Sequence, residues 1–212
     1  MKHIKQKNEG TVIGLTGGVG SGKSLVAQML CEACGASLLI ADDLGRVVME
    51  PGTCGFDRIV AHFGRQVVKP DGTLDRKLLS DIVFREEPER EALSGIVHPL
   101  VIEYIKKYVQ ERKHRGGVIV LESAILFESG CDRFCDEIWY VSVSDEIRKQ
   151  RLADHRGYSE QKTQSIIAKQ MSREEFLRRC DVVIENNGTT QELRQAIEKA
   201  LREHLTFEKQ PE

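Results

Sequence analysis

The residues Gly17-Gly18-Val19-Gly20-Ser21-Gly22-Lys23-Ser24 form the stretch of this sequence whose types and spacing most directly imply chemistry. They fit the pattern G-x-x-x-x-G-K-[ST], and each position has a physical reason. Glycines let successive backbone N–H groups turn inward around phosphate oxygens, and the start of a following helix adds partial positive charge. Lys23 neutralises the outer phosphate oxygens, while the Ser24 hydroxyl helps to hold the Mg²⁺ that accompanies a nucleotide. The implied chemistry is binding of a nucleoside triphosphate.

Two acids and several basic residues extend this reading. Asp42 follows the apolar run SLLIA, at a strand's carboxyl end, where a phosphoryl-transfer enzyme places a general base; acids there also serve as helix N-caps. Glu122 ends the run VIVL as an acid that holds a magnesium-bound water would, or as a solvated strand-end acid would. Arg151 and Arg156 suit a lid over phosphates or a solvated helix face. His98 before Pro99 reads more readily as a helix-breaking, hydrogen-bonded structural pair than as a reacting group. Asp42-Asp43-Leu44-Gly45 satisfies the D-x-x-G of switch GTPases, but the guanine-reading N-K-x-D is absent.

These residues need elements to position them. TVIGLT (11–16) reads as a strand, Ser24 to Cys34 as a helix, and Ser37 to Ala41 as a second strand followed by a helix through Val47–Met49 that stops before Pro51. From Thr53 to His114 the pattern is helical around Phe56–Phe63, Leu78–Phe84 and Val101–Val109, with a turn at Pro70-Asp71-Gly72. Strands return at Val118–Leu121 and Ile138–Val143. Ser144 or Asp145 caps a helix with Arg148 and Arg151, and Ser159 to Gln170 continues the helical region. Ser172 with Glu175 and Thr189 with Glu192 have capping-box spacing on either side of a last strand at Val182–Ile184. Alternating strands and helices give an α/β fold with a mostly parallel sheet and binding at the strands' carboxyl ends.

Composition bounds the alternatives. At 212 residues the chain suits one core with insertions, and its net charge of -2 offers no basic field for nucleic acid. The basic start, Lys2, His3, Lys5 and Lys7, is followed by no apolar run long enough for a signal or a membrane span, so the expected location is the cytosol. Six spread cysteines, including the C-x-x-C of Cys31 and Cys34 inside a helix, read as reduced thiols. The polar tail after Leu205 reads as frayed.

In order and spacing the sequence resembles the dephospho-CoA kinase family from about Val12 to about Gly188. The matching pieces include GLTGGVGSGKS around Lys23, Ala41-Asp42, Glu50-Pro51-Gly52, Phe63-Gly64, DGTLDR from Asp71 and His98-Pro99. Leu126-Phe127-Glu128, the helix with Arg151, the Gln170 region and DVVIENNG from Asp181 complete them. The resemblance implies an α/β parallel-sheet P-loop kinase core with a helical substrate-binding insertion and a short helical lid. It also implies transfer of the ATP γ-phosphate, with Mg²⁺, to the ribose 3'-hydroxyl of dephospho-CoA. The expected divisions are a core of 10–52, 116–147 and 180–206, a substrate region of 53–115 and a lid of 148–179.

On that likeness the catalytic candidates are Asp42 as base, Lys23, and Arg151 facing the phosphates. The ATP-binding set runs from Gly17 through Leu25 and adds Arg156 and Asn186, the latter near adenine. Substrate-binding candidates are Thr16, Asp42, His98 and Glu122, and Ser24 is the metal ligand. The chain departs from the family at Ile40, where an acid is common, at Ala124, where a proline is expected, and at His155, which aligns with a second lid arginine beside Arg156. Another small-molecule kinase, for a nucleoside or nucleotide, is the nearest alternative. A non-catalytic nucleotide switch is the more distant one, since a switch has no need to enclose a second substrate.

Overall fold

A computed structural model describes residues 10–205. In chain order the elements are β1 (Thr11–Thr16), α1 (Lys23–Cys34), β2 (Ser37–Ile40), α2 (Ala41–Val47), α3 (Cys54–Phe63), α4 (Arg76–Arg85), α5 (Glu87–Lys113) and β3 (Val118–Glu122). There follow β4 (Glu137–Ser142), α6 (Asp145–Arg156), α7 (Glu160–Ala168), α8 (Arg173–Arg179), β5 (Val182–Glu185) and α9 (Thr190–His204). The basic N-terminal residues and the tail after Leu205 lie outside the described residues. Two compact units emerge, one of residues up to Leu39 and from Arg112 onward, the other of Ile40–Glu111.

The first unit holds a five-stranded sheet in the order β2-β3-β1-β4-β5, with β1 parallel to both β3 and β4 and β4 parallel to β5. β1 and β3 are buried along nearly their whole length, which explains why both read as continuous apolar runs without alternation. On one face Ile13, Leu15, Val120, Trp139, Val141 and Ile184 pack with α1 and α9. α9 supplies Leu193, Ile197, Ala200 and Leu201, a helical stripe. On the other face Phe176 of α8 stacks on Tyr140 of β4, ring centroids 4.6 Å apart and 8° from parallel. Ser144, Ser159, Ser172 and Thr189 cap α6, α7, α8 and α9, the last two as full capping boxes.

The second unit is helical. Ile59, Phe63, Val67, Leu74 and Leu79 form its core, and the Pro70-Asp71-Gly72 turn lies inside a small antiparallel bridge from Val68 to Leu74. Thr53 and Asp75 cap α3 and α4. One expectation and one alternative change here. Pro99 does not break a helix, because it lies inside the continuous α5; proline keeps a helical φ and forfeits only one N–H, so long flanking turns can carry it. Asp42 is not an N-cap, because β2 ends at Ile40 and Ile40 is the cap residue, without a side-chain bond. Asp42 and Asp43 instead lie in the first turn of α2, where negative charge suits the helix dipole. Compactness places α2 in the helical unit, ahead of the boundary expected at Thr53.

Candidate active site

β1 delivers the chain to the glycine loop, and α1 begins at Lys23, one residue before the expected start. Gly22 is the N-cap in a left-handed conformation, φ 86°, and a Cβ there would overlap the Asn186 side-chain amide. Only glycine meets both demands. Lys23 Nζ donates to the carbonyl oxygens of Gly17 at 2.9 Å and Gly18 at 3.3 Å, so the ammonium is held in the curve of the loop. Leu25, 42% exposed, follows in the first turn of α1.

Ser24 Oγ donates to Glu122 Oε1 at 3.1 Å, a contact made across ninety-eight positions of sequence because β3 lies beside β1. Glu122 is only 6% exposed. A hydroxyl and a carboxylate oxygen so close together are hard oxygen donors, the type that Mg²⁺ selects, and the pair fits that ion.

α6 brings cations to the same loop. Arg151 donates to the Asn186 carbonyl at 3.0 Å and reaches Ser21 O at 3.5 Å. The Asn186 amide donates to Ser21 O at 2.7 Å and is 4% exposed, so this residue fastens the loop to the end of β5. Arg148, which sequence reasoning placed on α6 without a role, donates through Nε to Val19 O at 2.7 Å, and Gln170 Oε1 accepts from Val19 N at 3.1 Å. Burial pushes the Arg148 guanidinium below its ordinary range, with Asp145 opposing the shift. Its place on α6 was legible; its partners, set by tertiary packing, were not. Beside them a cleft of about 650 Å³ is lined by Gly18, Tyr140, Ser142, Arg148, Gln170 and Asn187, among others.

The loop from Gly17 to Leu25, Glu122, Arg151 and Asn186 therefore come together. Arg156 does not join them: it is exposed at the end of α6, as is His155, and neither side chain bonds with the described residues. Thr16 is fully buried at the end of β1, its hydroxyl without a hydrogen bond among the described residues. Asp42 and His98 belong to the helical unit, both exposed. The expected hydrogen bond of His98 is absent among the described residues, because its place on α5 turns the ring to solvent.

A family model for dephospho-CoA kinase matches residues 11–192. A dephospho-CoA kinase of Symbiobacterium thermophilum is 43% identical over 192 residues, which are 90% of this chain and 80% of that protein. Among solved structures, that of TT1252 from Thermus thermophilus superposes with a TM-score of 0.77 at 28% identity, over 94% of this chain and all of that one. The dephospho-CoA kinase of Campylobacter jejuni shares the fold with a TM-score of 0.66 at 21% identity, over 91% and 96% of the two chains.

Proposed function

The chain belongs to the dephospho-CoA kinase family, and from that premise we propose that it transfers the γ-phosphoryl group of ATP to the ribose 3'-hydroxyl of 3'-dephospho-CoA. The products are coenzyme A and ADP. The observation that carries the reading is the phosphate loop itself, with Lys23 folded into its curve and Ser24 bonded to Glu122 at the carboxyl ends of parallel strands.

Each residue then has a task. Backbone N–H groups of the loop and the α1 N-terminus bind the β- and γ-phosphates, and Lys23 holds charge on the transferring group. Arg151, already donating to the loop, adds a second cation. Asp42 accepts the proton of the 3'-hydroxyl as that oxygen bonds to phosphorus and the bond to the ADP oxygen breaks. Ser24 and Glu122 would hold Mg²⁺, directly or through water, and the ion would supply neutralisation of phosphate charge. Asn186 keeps the loop in place near the adenine, and the lid, 148–179, excludes water. The unit up to Leu39 and from Arg112 onward carries ATP, while the helical unit, Ile40–Glu111, takes dephospho-CoA, with His98 as a further substrate contact. No helix among the described residues is long and apolar enough to cross a membrane, and we place the enzyme in the cytoplasm.

The test is a panel of acceptors. Purified protein with Mg-ATP should phosphorylate dephospho-CoA and leave adenosine and nucleoside monophosphates untouched; product from a nucleoside monophosphate alone would overturn the assignment.

A further inference from the structure

Val19 stands on the bend of the phosphate loop, and its peptide groups are held on both sides. Its N–H donates to Gln170 Oε1 at 3.1 Å, its carbonyl accepts from Arg148 Nε at 2.7 Å, and Arg148 Nη2 donates in turn to the same Gln170 oxygen. The three bonds close a ring whose members come from the loop, from α6 and from the turn after α7.

Water could satisfy a loop peptide at far less cost, so the choice of partners is informative. The Arg148 side chain is only 12% exposed, and the one acid paired with it among the described residues, Asp145, is 3.8 Å away and 64% exposed, an ion pair of little worth. The cation is therefore held chiefly by the oxygens of Val19 and Gln170. A guanidinium presents Nε and Nη donors in a fixed fork, which matches two acceptors side by side as a lysine ammonium cannot. The loop is shaped for it too, because a Cβ on Gly18 would overlap the guanidinium. Loop, α6 and turn are fitted to one another at a point where phosphoryl transfer depends on the loop amides being fixed before phosphate arrives.

We propose that Arg148 and Gln170 are positioning residues for phosphoryl transfer, a clasp that sets the bend of the phosphate loop at Val19 and couples it to α6 and the α7–α8 turn. The clasp acts through the loop backbone. It rests on the kinase reading for its catalytic consequence, but its effect on nucleotide binding does not.

Steady-state kinetics on four variants test it. Gln170→Ala should lower kcat/KM for ATP about ten- to a hundredfold and leave KM for dephospho-CoA unchanged. Gln170→Glu should return to within about threefold of the parent, because a carboxylate oxygen still accepts from both Val19 N–H and Arg148. Arg148→Met should resemble Gln170→Ala, and the double variant should be no worse than either, since one ring is broken once. Wild-type kinetics in Gln170→Ala, a Glu variant as impaired as the Ala variant, or losses that multiply in the double would each overturn the clasp. If Gln170→Ala does not fold by circular dichroism, Gln170→Glu with Arg148→Lys carries the test: the first must be active and the second impaired. Calorimetric affinity for a non-hydrolysable ATP analogue, read across the same proteins, needs no acceptor. It should weaken about tenfold with Gln170→Ala, and an unchanged affinity together with an unchanged kcat would reject the clasp. A wild-type protein inactive on dephospho-CoA would refute the proposed function and leave that binding series to decide the clasp.

Discussion

Lys23→Ala removes the one ammonium that the loop carbonyls of Gly17 and Gly18 hold in place. Turnover should fall about a hundredfold or more while circular dichroism stays native, because a preorganised cation at the developing charge is lost and little packing with it. Asp42 offers a cleaner substitution than its sequence position suggested. As a first-turn residue of α2 with no capping bond, it contributes little that asparagine would not. Asp42→Asn should therefore lower kcat about a hundred- to ten-thousandfold with ATP affinity intact, and a variant with wild-type kcat and KM would remove Asp42 from the chemistry. Among the thiols, burial pushes Cys180 from 9.0 up to about 12. The unfolded thiol ionises first as pH rises, so the stability that burial of the neutral thiol contributes is present below about pH 9 and lost toward pH 12. Urea midpoints at about pH 8 and about pH 10.5 should differ less in Cys180→Ala than in the parent.

The capping boxes give the elements their own test. Thr189 accepts from Glu192 N through its hydroxyl, and Glu192 accepts from Thr189 N, which closes the start of α9. Thr189→Ala should cost about 1 kcal/mol in equilibrium denaturation, since the apolar stripe of α9 remains to hold the helix on the sheet. Such local signals were what the sequence made legible: the strand at 11–16, both boxes, a cap at Ser144 or Asp145, of which Ser144 is the one, and the loop between β1 and α1. Where a tertiary term competed with a local one, the reading fell short. Pro99 hides the continuity of α5, and the capping alternative for Asp42 falls because β2 ends at Ile40, one residue before the expected Ala41. At the site, Gly17–Ser24 was readable because one short segment carries the whole device. The bond from Ser24 to Glu122 followed only in outline, from an acid at a strand end, and the Arg148–Gln170 contact had no local signature.

For the whole molecule the kinase reading demands motion as well as structure. Amide hydrogen exchange across residues 148–170 should slow when ATP analogue and dephospho-CoA are both bound, because water must be kept from the phosphoryl group. Unchanged exchange throughout that stretch would make it fixed structure. The sheet order has a separate consequence, for synthesis. β1 is the central strand, yet its partner β3 begins at Val118, opposite Thr11, and β4 and β5 come later still. At typical translation rates the apolar β1, made first, waits about 5–20 s for a strand to pair with, with the helical unit emerging in between. Nascent chains stalled before and after Val118 should thus differ sharply in protease resistance of the N-terminal residues, and the interval before β3 emerges is when this protein most needs a chaperone.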